Sequence, residues 1–294
     1  MVWLITGGSG QLGRALQECL TRKDVPHATP DRTELDIAQE IDMKKLERWM
    51  PSVIINCAAW TDVEMAERKL IDVHTINCKG AEKLAVAAKE MQIPFVQIST
   101  DYVFSGEQAD PWQEDDETSP QSNYGKTKLE GEKAVLDSYP EGSYVIRTAW
   151  LYSPWRRNFA KTILMRALQD LPSKVVIDQI GQPTSALDLA RQIHLLLTAR
   201  ARFGIYHGTN SGSASWLDFA GEIYRLAGKS MELVSPISSS ELKSIVNRPK
   251  YSVLGHKNWQ KTNLSEMRSW QSALASVFPR IMIEAERELV NGGT

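Results

Sequence analysis

Residues 121–131 read QSNYGKTKLEG, in which Tyr124 precedes Lys128 by four positions. On a helix this spacing brings both side chains to one face, about one turn apart. A tyrosine ordinarily titrates at about 10, so a nearby ammonium group that favours the phenolate would ease proton exchange at neutral pH. The motif is weak by itself. Its meaning depends on the segments that must position it.

A second reactive group is predicted at the end of a strand. The strand FVQIS (95–99) runs into STDYVFSG (99–106), which places Thr100 at the carboxyl edge of the sheet. Together these groups indicate carbonyl reduction. We expect Tyr124 to donate a proton as hydride reaches the carbonyl carbon, Thr100 to hydrogen-bond the carbonyl oxygen, and Lys128 to bind the nicotinamide ribose.

The segment TGGSGQLG places Gly7, Gly10 and Gly13 in a GxxGxxG spacing between the strand VWLIT (2–6) and the helix QLGRALQECLTR. Glycines allow a tight turn and a close approach of a pyrophosphate to the backbone. The helix start adds free amides and the positive end of its dipole. A dinucleotide site is therefore predicted here. The spacing is typical of extended short-chain dehydrogenases/reductases.

The sequence leaves the choice between NAD and NADP open. The second strand is predicted to end near Asp31 and Arg32. An acid there would hold the ribose hydroxyls of NAD, whereas an arginine would accept the 2′-phosphate of NADP. Both residues are present. NADPH is expected for a reductive enzyme, with NADH tolerated.

Strands and helices alternate along the first half of the chain. Asp36 is predicted to cap a helix AQEIDMKKLERWM, and a later helix has an inner stripe of Ala81, Leu84, Ala88 and Met91. Further strands are predicted at 52–60, 95–99 and 144–150. This pattern predicts an α/β fold with a Rossmann-type, doubly wound parallel sheet. We assign residues 1–150 to the dinucleotide-binding domain, with segments of about 174–210 adding to it, and residues 151–294 mainly to a smaller substrate domain.

Composition narrows the function classes. A net charge of −2 gives no field for a nucleic-acid backbone, and no apolar run suffices to cross a bilayer. The first residues lack the features of a secretion signal. Three widely separated cysteines fit a reducing compartment, so a cytoplasmic location is expected. No metal-binding spacing is present, and no metal site is predicted.

Taken together, the segments resemble the dTDP-4-dehydrorhamnose reductase family. The resemblance runs through most of the chain and is most specific in the long middle segment. Few other reductases join these middle motifs in this order. The matching stretches are TGGSGQLG, NCAAWTDVEMAE, STDYVFSG, PWQEDDETSPQSNYGKTKLEGEKA, RTAWLY, NFAKTIL, DQIGQPT and NRP.

This resemblance implies a dTDP-sugar substrate, most specifically dTDP-4-dehydro-L-rhamnose. It implies a catalytic triad of Thr100, Tyr124 and Lys128. The positions expected to bind the cofactor are Gly7, Gly10, Gln11, Leu12, Gly13, Asp31, Arg32, Asp36, Ala58, Ala59, Thr61 and Ser99, with Tyr124 and Lys128. Those expected to bind the sugar nucleotide are Thr100, Asp101, Tyr102, Trp150, Asn158 and Arg248. Trp150 in the core, a turn-capping Asp101 and a loop-bracing Arg248 are the alternative interpretations.

Two departures from the family pattern affect its further implications. Some members bind magnesium at a dimer interface through carboxylates, one of them in the first helix, where this chain has Ala15. Magnesium is therefore doubtful, although a homodimer is still allowed. The stretch SPWRRNF (153–159) also replaces a segment that is often rich in glycine, so the mouth of the sugar site is expected to differ.

Two other functions remain compatible with the fold. Sugar-nucleotide dehydratases and epimerases share the glycine turn and the Tyr–Lys pair. Dehydratases commonly require an Asp–Glu couple after the threonine, whereas this chain continues with Asp101 and Tyr102. A non-catalytic regulatory subunit is the second alternative. Stoichiometric consumption of reduced nicotinamide would separate a reductase from both.

Overall fold

Six parallel strands form the central sheet of this computed structural model, within the residues that the structure describes, 2–242 and 244–292. The spatial order is β2-β1-β3-β4-β5-β10. These strands are β1 Val2–Thr6, β2 His27–Ala28, β3 Pro51–Asn56, β4 Phe95–Thr100, β5 Ser143–Thr148 and β10 Gly204–His207. The doubly wound α/β architecture expected from the sequence is thereby confirmed.

Helices cover both faces of the sheet. Adjacent residues Leu4 and Ile5 point to opposite faces and enter two separate hydrophobic clusters. Helices α1 and α8 pack together on the Ile5 side, and α5 and α6 pack together on the Leu4 side. The helices of this unit are α1 Gln11–Thr21, α2 Met43–Glu47, α3 Val63–Ala66, α4 Leu70–His74, α5 Ala81–Glu90, α6 Asn123–Ser138 and α8 Ala186–Thr198. Within the described ranges, none is long and apolar enough to cross a membrane.

The connections between strands reverse direction at β1. From β1 the chain moves outward to β2 on one side and then crosses to β3 on the other. Ligands of open α/β sheets bind at such a reversal, beyond the carboxyl ends of the strands. Gly7 lies at this point with φ +66°, and an added Cβ would meet the backbone of Cys57 and Ala58 at 2.7–2.8 Å. The turn after β1 therefore packs tightly against the loop after β3.

A second unit lies beyond these carboxyl ends. Its hydrophobic cluster joins α7 Phe159–Leu168, α9 Trp216–Leu226 and α11 Trp270–Gly292. Short strand pairs accompany these helices: β6 Leu151–Tyr152 with β9 Thr184–Ser185, β7 Ser173–Val176 with β12 Val234–Ile237, and β8 Ile180–Gly181 with β11 Ala214–Ser215. Residues 249–254 then run along the loop that follows β4, with Pro249 against Gly106 and Trp112 paired with Leu254.

Strand pairings and helix contacts locate several elements near the boundary between the units, which itself remains a prediction. Of the segments in 174–210 that were expected to extend the cofactor domain, β10 joins the central sheet, but β7 pairs with β12 outside it. Conversely, α10 Lys257–Gln260 lies in the part assigned to substrate binding. Its Trp259 packs against Tyr206 of β10 and donates to the carbonyl of His207 at 2.7 Å.

The region after β2 also differs from expectation. The strand ends at Ala28, before Asp31, and the helix predicted to start after Asp36 begins only at Met43. Asp42 caps that helix by accepting from the amides of Lys44 and Lys45. Asp36 instead accepts from the amide of Ala38 in a turn. Both aspartates fit an N-cap signal, and the turn-forming hydrogen bond prevails at Asp36.

Helix α6 lies unusually close to the chain before α5, and this contact allows a test of stability. A Cβ added at Gly131 would meet the carbonyl oxygen of Asn77 at 2.2 Å, whereas alanine normally stabilises a helix interior relative to glycine. We expect Gly131→Ala to lower the free energy of unfolding by about 1–3 kcal/mol through overpacking. Urea denaturation measures this. Glu130→Ala, on the exposed side of the same helix, is the matched control, and an equal or higher stability of Gly131→Ala would contradict the packing argument.

Candidate functional site

Helix α6 carries Tyr124 in its first turn, and two side chains fix its start. Ser122 is the N-cap and accepts from the amide of Gly125 at 3.1 Å. Glu67, from the segment after α3, accepts from the amide of Asn123 at 2.8 Å. The first free amides of the helix are thus satisfied from two directions, and the backbone that bears Tyr124 is held in place.

Lys128 lies one turn further along α6 and is only 3% exposed. Its ammonium group donates to the carbonyl oxygen of Ile98, two residues before Thr100 in β4. Burial lowers the pKa of Lys128 to about 8, while the carboxylate of Glu132 opposes that shift. The predicted Tyr–Lys pair therefore occupies the carboxyl edge of β4 rather than a solvated helix face.

A buried ion pair anchors the same helix to the sheet. Glu132 lies one further turn along α6 and accepts from Arg147 of β5 at 2.8 Å, with the two side chains 2% and 3% exposed. Arg147 also donates to the carbonyl of Glu114 and lies over the ring of Phe104. Because a broken buried pair leaves an uncompensated charge, this contact strongly resists displacement of α6 from β5.

Thr100 meets Tyr124 at the end of β4. The Thr100 hydroxyl lies 3.0 Å from Oδ1 of Asp101 and accepts from the amide of Tyr102 at 3.2 Å. It also lies close enough to the Tyr124 hydroxyl to lower the pKa of that phenol. The rings of Tyr102 and Tyr124 make an edge-to-face contact with centroids 5.6 Å apart. Three predicted catalytic residues, Thr100, Tyr124 and Lys128, thus converge.

The electrostatics of Tyr124 differ from the sequence-based expectation. Burial raises the pKa of its phenol above the usual range, and the charges of Asp101 and Tyr102 add to the increase. Lys128 is not among the groups that shift this pKa, so the protein alone does not show the predicted lowering. An unshifted or raised pKa keeps the phenol protonated at neutral pH, as a proton donor requires.

Asp101 is a buried carboxyl group beside this triad. It is 2% exposed, and its Oδ2 has no hydrogen-bond partner among the described residues. Burial raises the pKa of Asp101 to about 6, and the hydroxyls of Ser252 and Thr100 partly oppose the increase. The carboxyl is therefore more than a turn cap, because a turn cap alone would not leave one oxygen buried and unsatisfied.

The glycine turn has the form of an anion site. Gly10 is the N-cap residue of α1 and provides no side-chain cap, so the first amides of the helix remain available. A Cβ at Gly13 would meet Gly7 at 2.3 Å, which explains the third glycine. The hydroxyl of Ser153 in the second unit donates to the side-chain oxygen of Gln11 at 2.9 Å, and Leu12 is buried in the core. Leu12 thus offers a ligand only its backbone.

The residues after β2 bear on whether the dinucleotide is NAD or NADP. Asp31 is engaged locally, because Oδ1 accepts from the amide and hydroxyl of Thr33 and from the amide of Glu34. Arg32 is exposed and makes a 3.2 Å contact with Asp36. A guanidinium on the surface is free to exchange that carboxylate for a phosphate, whereas Asp31 already supports a turn.

The loop after β3 is held by a buried residue that the sequence analysis missed. Ala58 and Ala59 are half-buried and Thr61 is exposed. Asn77, only 1% exposed, accepts from the amide of Trp60 at 2.8 Å and donates to the hydroxyl of Thr127 in α6 at 3.3 Å. It lies in a π-helical turn, Thr75–Gly80. Asn77 therefore joins the loop after β3 to the helix that carries Tyr124 and Lys128.

Buried polar atoms also mark the strand ends. The hydroxyls of Ser99 in β4 and Thr148 in β5 have no hydrogen-bond partner within the described residues. Ser99 was expected beside a nicotinamide, and an unsatisfied buried hydroxyl is consistent with a ligand there. Together with the open helix start, these residues fit a dinucleotide.

Two predicted sugar contacts have structural roles. Trp150 has φ +45° and stacks on Trp216 with ring centroids 3.5 Å apart, yet it remains partly exposed. Asn158 caps α7 by accepting from the amide of Lys161 at 3.1 Å, and it donates to the carbonyl of Ser153 at 2.8 Å. Asn158 therefore shapes the segment SPWRRNF.

Arg248, from the second unit, contacts residues that follow β3 and β4. Its Nη2 donates to Glu64 at 3.2 Å, and Glu64 also accepts from the hydroxyl of Ser244 at 2.5 Å. The Nε of Arg248 is buried without a partner in the described ranges. The Arg248 side chain also lies near enough to the Tyr102 hydroxyl to oppose the rise in its pKa.

Potential metal ligands lie elsewhere. Ala15 is fully buried in the core and offers no ligand atom. His74, Cys78 and Glu130, on the outer side of α6, have ligand atoms within 4.8 Å of one another, and the His74–Glu130 ion pair of 3.4 Å accounts for part of that proximity. The expectation of no metal site remains a prediction.

Comparisons with known proteins cover nearly the whole chain. A family model described as the RmlD substrate binding domain matches residues 1–283. A dTDP-4-dehydrorhamnose reductase of Streptomyces griseus is 40% identical and covers 97% of this chain and 95% of its own. A dTDP-4-keto-6-deoxy-D-glucose reductase of Streptomyces niveus is 39% identical, with 94% and 96% covered. A dTDP-4-dehydrorhamnose reductase of Bacillus anthracis in complex with NADP is 35% identical, with a TM-score of 0.90 and coverage of 95% and 98%.

The burial of Lys128 predicts a pH-dependent stability. Its pKa is about 8 in the folded protein against an ordinary 10.5, so between these values the unfolded chain binds more protons and stability rises with pH. Below about 8 the buried charge carries its full cost. Lys128→Met should therefore raise the free energy of unfolding at pH 7 by about 1–3 kcal/mol, and the gain should shrink towards pH 10.

Urea denaturation at pH 7 and pH 10 measures the gain from Lys128→Met. Lys126→Met is the control, because Lys126 lies on the exposed side of the same helix. A gain for Lys128→Met that does not depend on pH, or that equals the control, would show that Lys128 is not buried as a charge.

Proposed function

Since the chain belongs to the dTDP-4-dehydrorhamnose reductase family, we propose that it reduces dTDP-4-dehydro-L-rhamnose to dTDP-L-rhamnose with NADPH. The coarser activity is reduction of the 4-keto group of a dTDP-linked 6-deoxyhexose. The convergence of Thr100, Tyr124 and Lys128 at the carboxyl edge of β4 carries this proposal.

A cytoplasmic location is also proposed, and it accords with free Cys19, Cys57 and Cys78. The oligomeric form proposed is a homodimer.

The dinucleotide would lie along the switch in strand order. The free amides at the start of α1 would hold its pyrophosphate, and the exposed Arg32 favours the 2′-phosphate of NADPH over the unsubstituted ribose of NADH. Ser99 would lie beside the nicotinamide. When bound, the nicotinamide supplies the hydride. NADH would remain usable, because the amides at the start of α1 contact only the pyrophosphate, which both dinucleotides share.

The residues of the chain supply the proton and its placement. Tyr124 keeps its proton at neutral pH, because burial raises the phenol pKa, and it would donate that proton to the oxygen at C4. Thr100 would hold the same oxygen. Lys128 would exchange the Ile98 carbonyl for the ribose hydroxyls and bring its charge nearer the developing phenolate.

Recognition of the sugar nucleotide would involve groups from both units. Arg248 has one buried Nε without a partner and an Nη2 held by Glu64, so it is suited to a diphosphate that replaces Glu64. Tyr102 and Asp101, which contact Tyr124 and Thr100, would border the hexose. Trp150, partly exposed on its stack, would cover a ring, and Asn158 would support the mouth.

A related activity is the second candidate. The Streptomyces niveus relative is named for a dTDP-4-keto-6-deoxy-D-glucose substrate, at nearly the same identity as the rhamnose-type relative. The two substrates share the 4-ketone and nucleotide and differ in the sugar stereochemistry. Assays with both sugars under identical conditions, with the C4 configuration of each product determined, would decide between them.

Purified protein should oxidise one equivalent of NADPH for each dTDP-4-dehydro-L-rhamnose consumed.

Tyr124→Phe should retain NADPH binding, since it changes one hydroxyl, but lose about 10²–10⁴ in turnover. Tyr139→Phe, at the end of the same helix, is the control and should keep full turnover. Wild-type turnover by Tyr124→Phe would refute the proton-donor role, and catalytic rather than stoichiometric use of NADPH would indicate an epimerase or dehydratase.

A further inference from the structure

The hydroxyl of Thr100 has one proton and several neighbours that compete for it. Oδ1 of Asp101 lies 3.0 Å away, the amide of Tyr102 donates to it at 3.2 Å, and the hydroxyl of Tyr124 approaches it. A hydroxyl donates one hydrogen bond and accepts two. Since the amide of Tyr102 already occupies one lone pair of the Thr100 oxygen, the direction of the remaining hydrogen bonds depends on whether Asp101 accepts or donates.

An ionised Asp101 accepts only. Thr100 must then donate its proton to Oδ1, and its remaining lone pair is available to the Tyr124 phenol. In that arrangement Thr100 has no proton left for a carbonyl oxygen of the substrate. The Tyr124 proton is also drawn towards Thr100. Both donors that carbonyl reduction requires are therefore diverted.

A neutral Asp101 reverses these bonds. Its carboxyl proton can be donated from Oδ1 to the Thr100 oxygen, so Thr100 keeps its own proton for the substrate. Tyr124 is then released to donate as well. Two hydroxyl donors would meet the carbonyl oxygen, as stabilisation of developing negative charge requires.

We propose that Asp101 is a positioning residue whose protonation sets the direction of the Thr100 hydroxyl, with the neutral form competent for reduction. This inference rests on the proposed carbonyl reduction. No proton leaves Asp101 in the cycle, because the carboxyl acts only through the orientation of Thr100.

The surroundings of Asp101 favour the neutral form. The carboxyl is 2% exposed and its Oδ2 lacks a partner among the described residues, which makes a full charge costly. The groups that face it are Tyr124 from α6, Tyr102 from its own turn and Ser252 from the second unit, with Arg248 beyond Tyr102. Burial raises the pKa of Asp101 to about 6, so the free protein holds the neutral form only below about pH 6, and a sugar that excludes water would raise this pKa further.

The pH profile of Asp101→Asn tests the proposal. The amide has nearly the shape of the carboxyl and always has a hydrogen to donate, so it imitates neutral Asp101 at every pH. Wild-type kcat for reduction should fall by about tenfold per pH unit above the pKa of Asp101 in the substrate complex. Asp101→Asn should lack this fall, so that its kcat changes only where Lys128 loses its charge near pH 8, and it should exceed the wild type at the alkaline end.

Asp110→Asn, an exposed change in the following loop, is the control and should keep the wild-type profile. A profile for Asp101→Asn that falls like the wild type would overturn the proposal. So would loss of turnover at every pH in a variant that still binds NADPH, because that result would require a carboxylate. A purely structural role would lower kcat without removing its pH dependence.

A measurement without turnover separates this inference from the proposed function. The infrared band of a protonated carboxyl should disappear from wild-type protein between pH 5 and 8, be absent from Asp101→Asn, and shift in Thr100→Val, where its hydrogen-bond partner is lost. If the wild type reduces no keto sugar, the proposed function fails, and this titration still decides the link between Asp101 and Thr100. Absence of such a band, or a band unchanged in Thr100→Val, refutes the link.

Discussion

The close contact between α6 and the chain around Asn77 determines the geometry of the site. Gly131 allows the helix to approach the carbonyl of Asn77, and the side chain of Asn77 holds both Trp60 and Thr127. The Glu132–Arg147 pair fixes the opposite side of α6 to β5. Tyr124 and Lys128 thus occupy a helix that is clamped to a loop on one side and to the sheet on the other. Such support keeps reacting groups aligned, and small misplacements are costly in rate.

Local patterns in the sequence predict the framework well. The bounds of β1 agree with the predicted VWLIT, and the glycines lie in the turn between β1 and α1, because a buried strand followed by such a turn depends on neighbouring residues alone. The Tyr–Lys spacing likewise follows from helix geometry. The placement of Asp36 failed for a related reason, since Asp36 and Asp42 carry the same local signal and only tertiary packing decides between them.

The parts that the sequence did not predict depend on contacts between distant segments. Glu67 meets the start of α6 across 56 positions, and Ser252 approaches Asp101 from the second unit. Asn77 left a usable signal, because it lies four residues before Ala81 and so continues the inner stripe of α5 with a polar residue. A polar side chain on a buried stripe requires a hydrogen-bond partner. One partner of Asn77 is Thr127 in α6, the helix that carries Tyr124 and Lys128.

The Glu64–Arg248 contact has a consequence for selectivity. Glu64 already provides Arg248 with a negative charge, so an uncharged sugar that enters the cleft gains nothing from this arginine. In the proposed binding mode, a nucleotide diphosphate carries enough negative charge to displace the carboxylate, and Glu64 would then be solvated by water. Under the proposed function, the Glu64 carboxylate would therefore disfavour free monosaccharides relative to nucleotide-linked sugars.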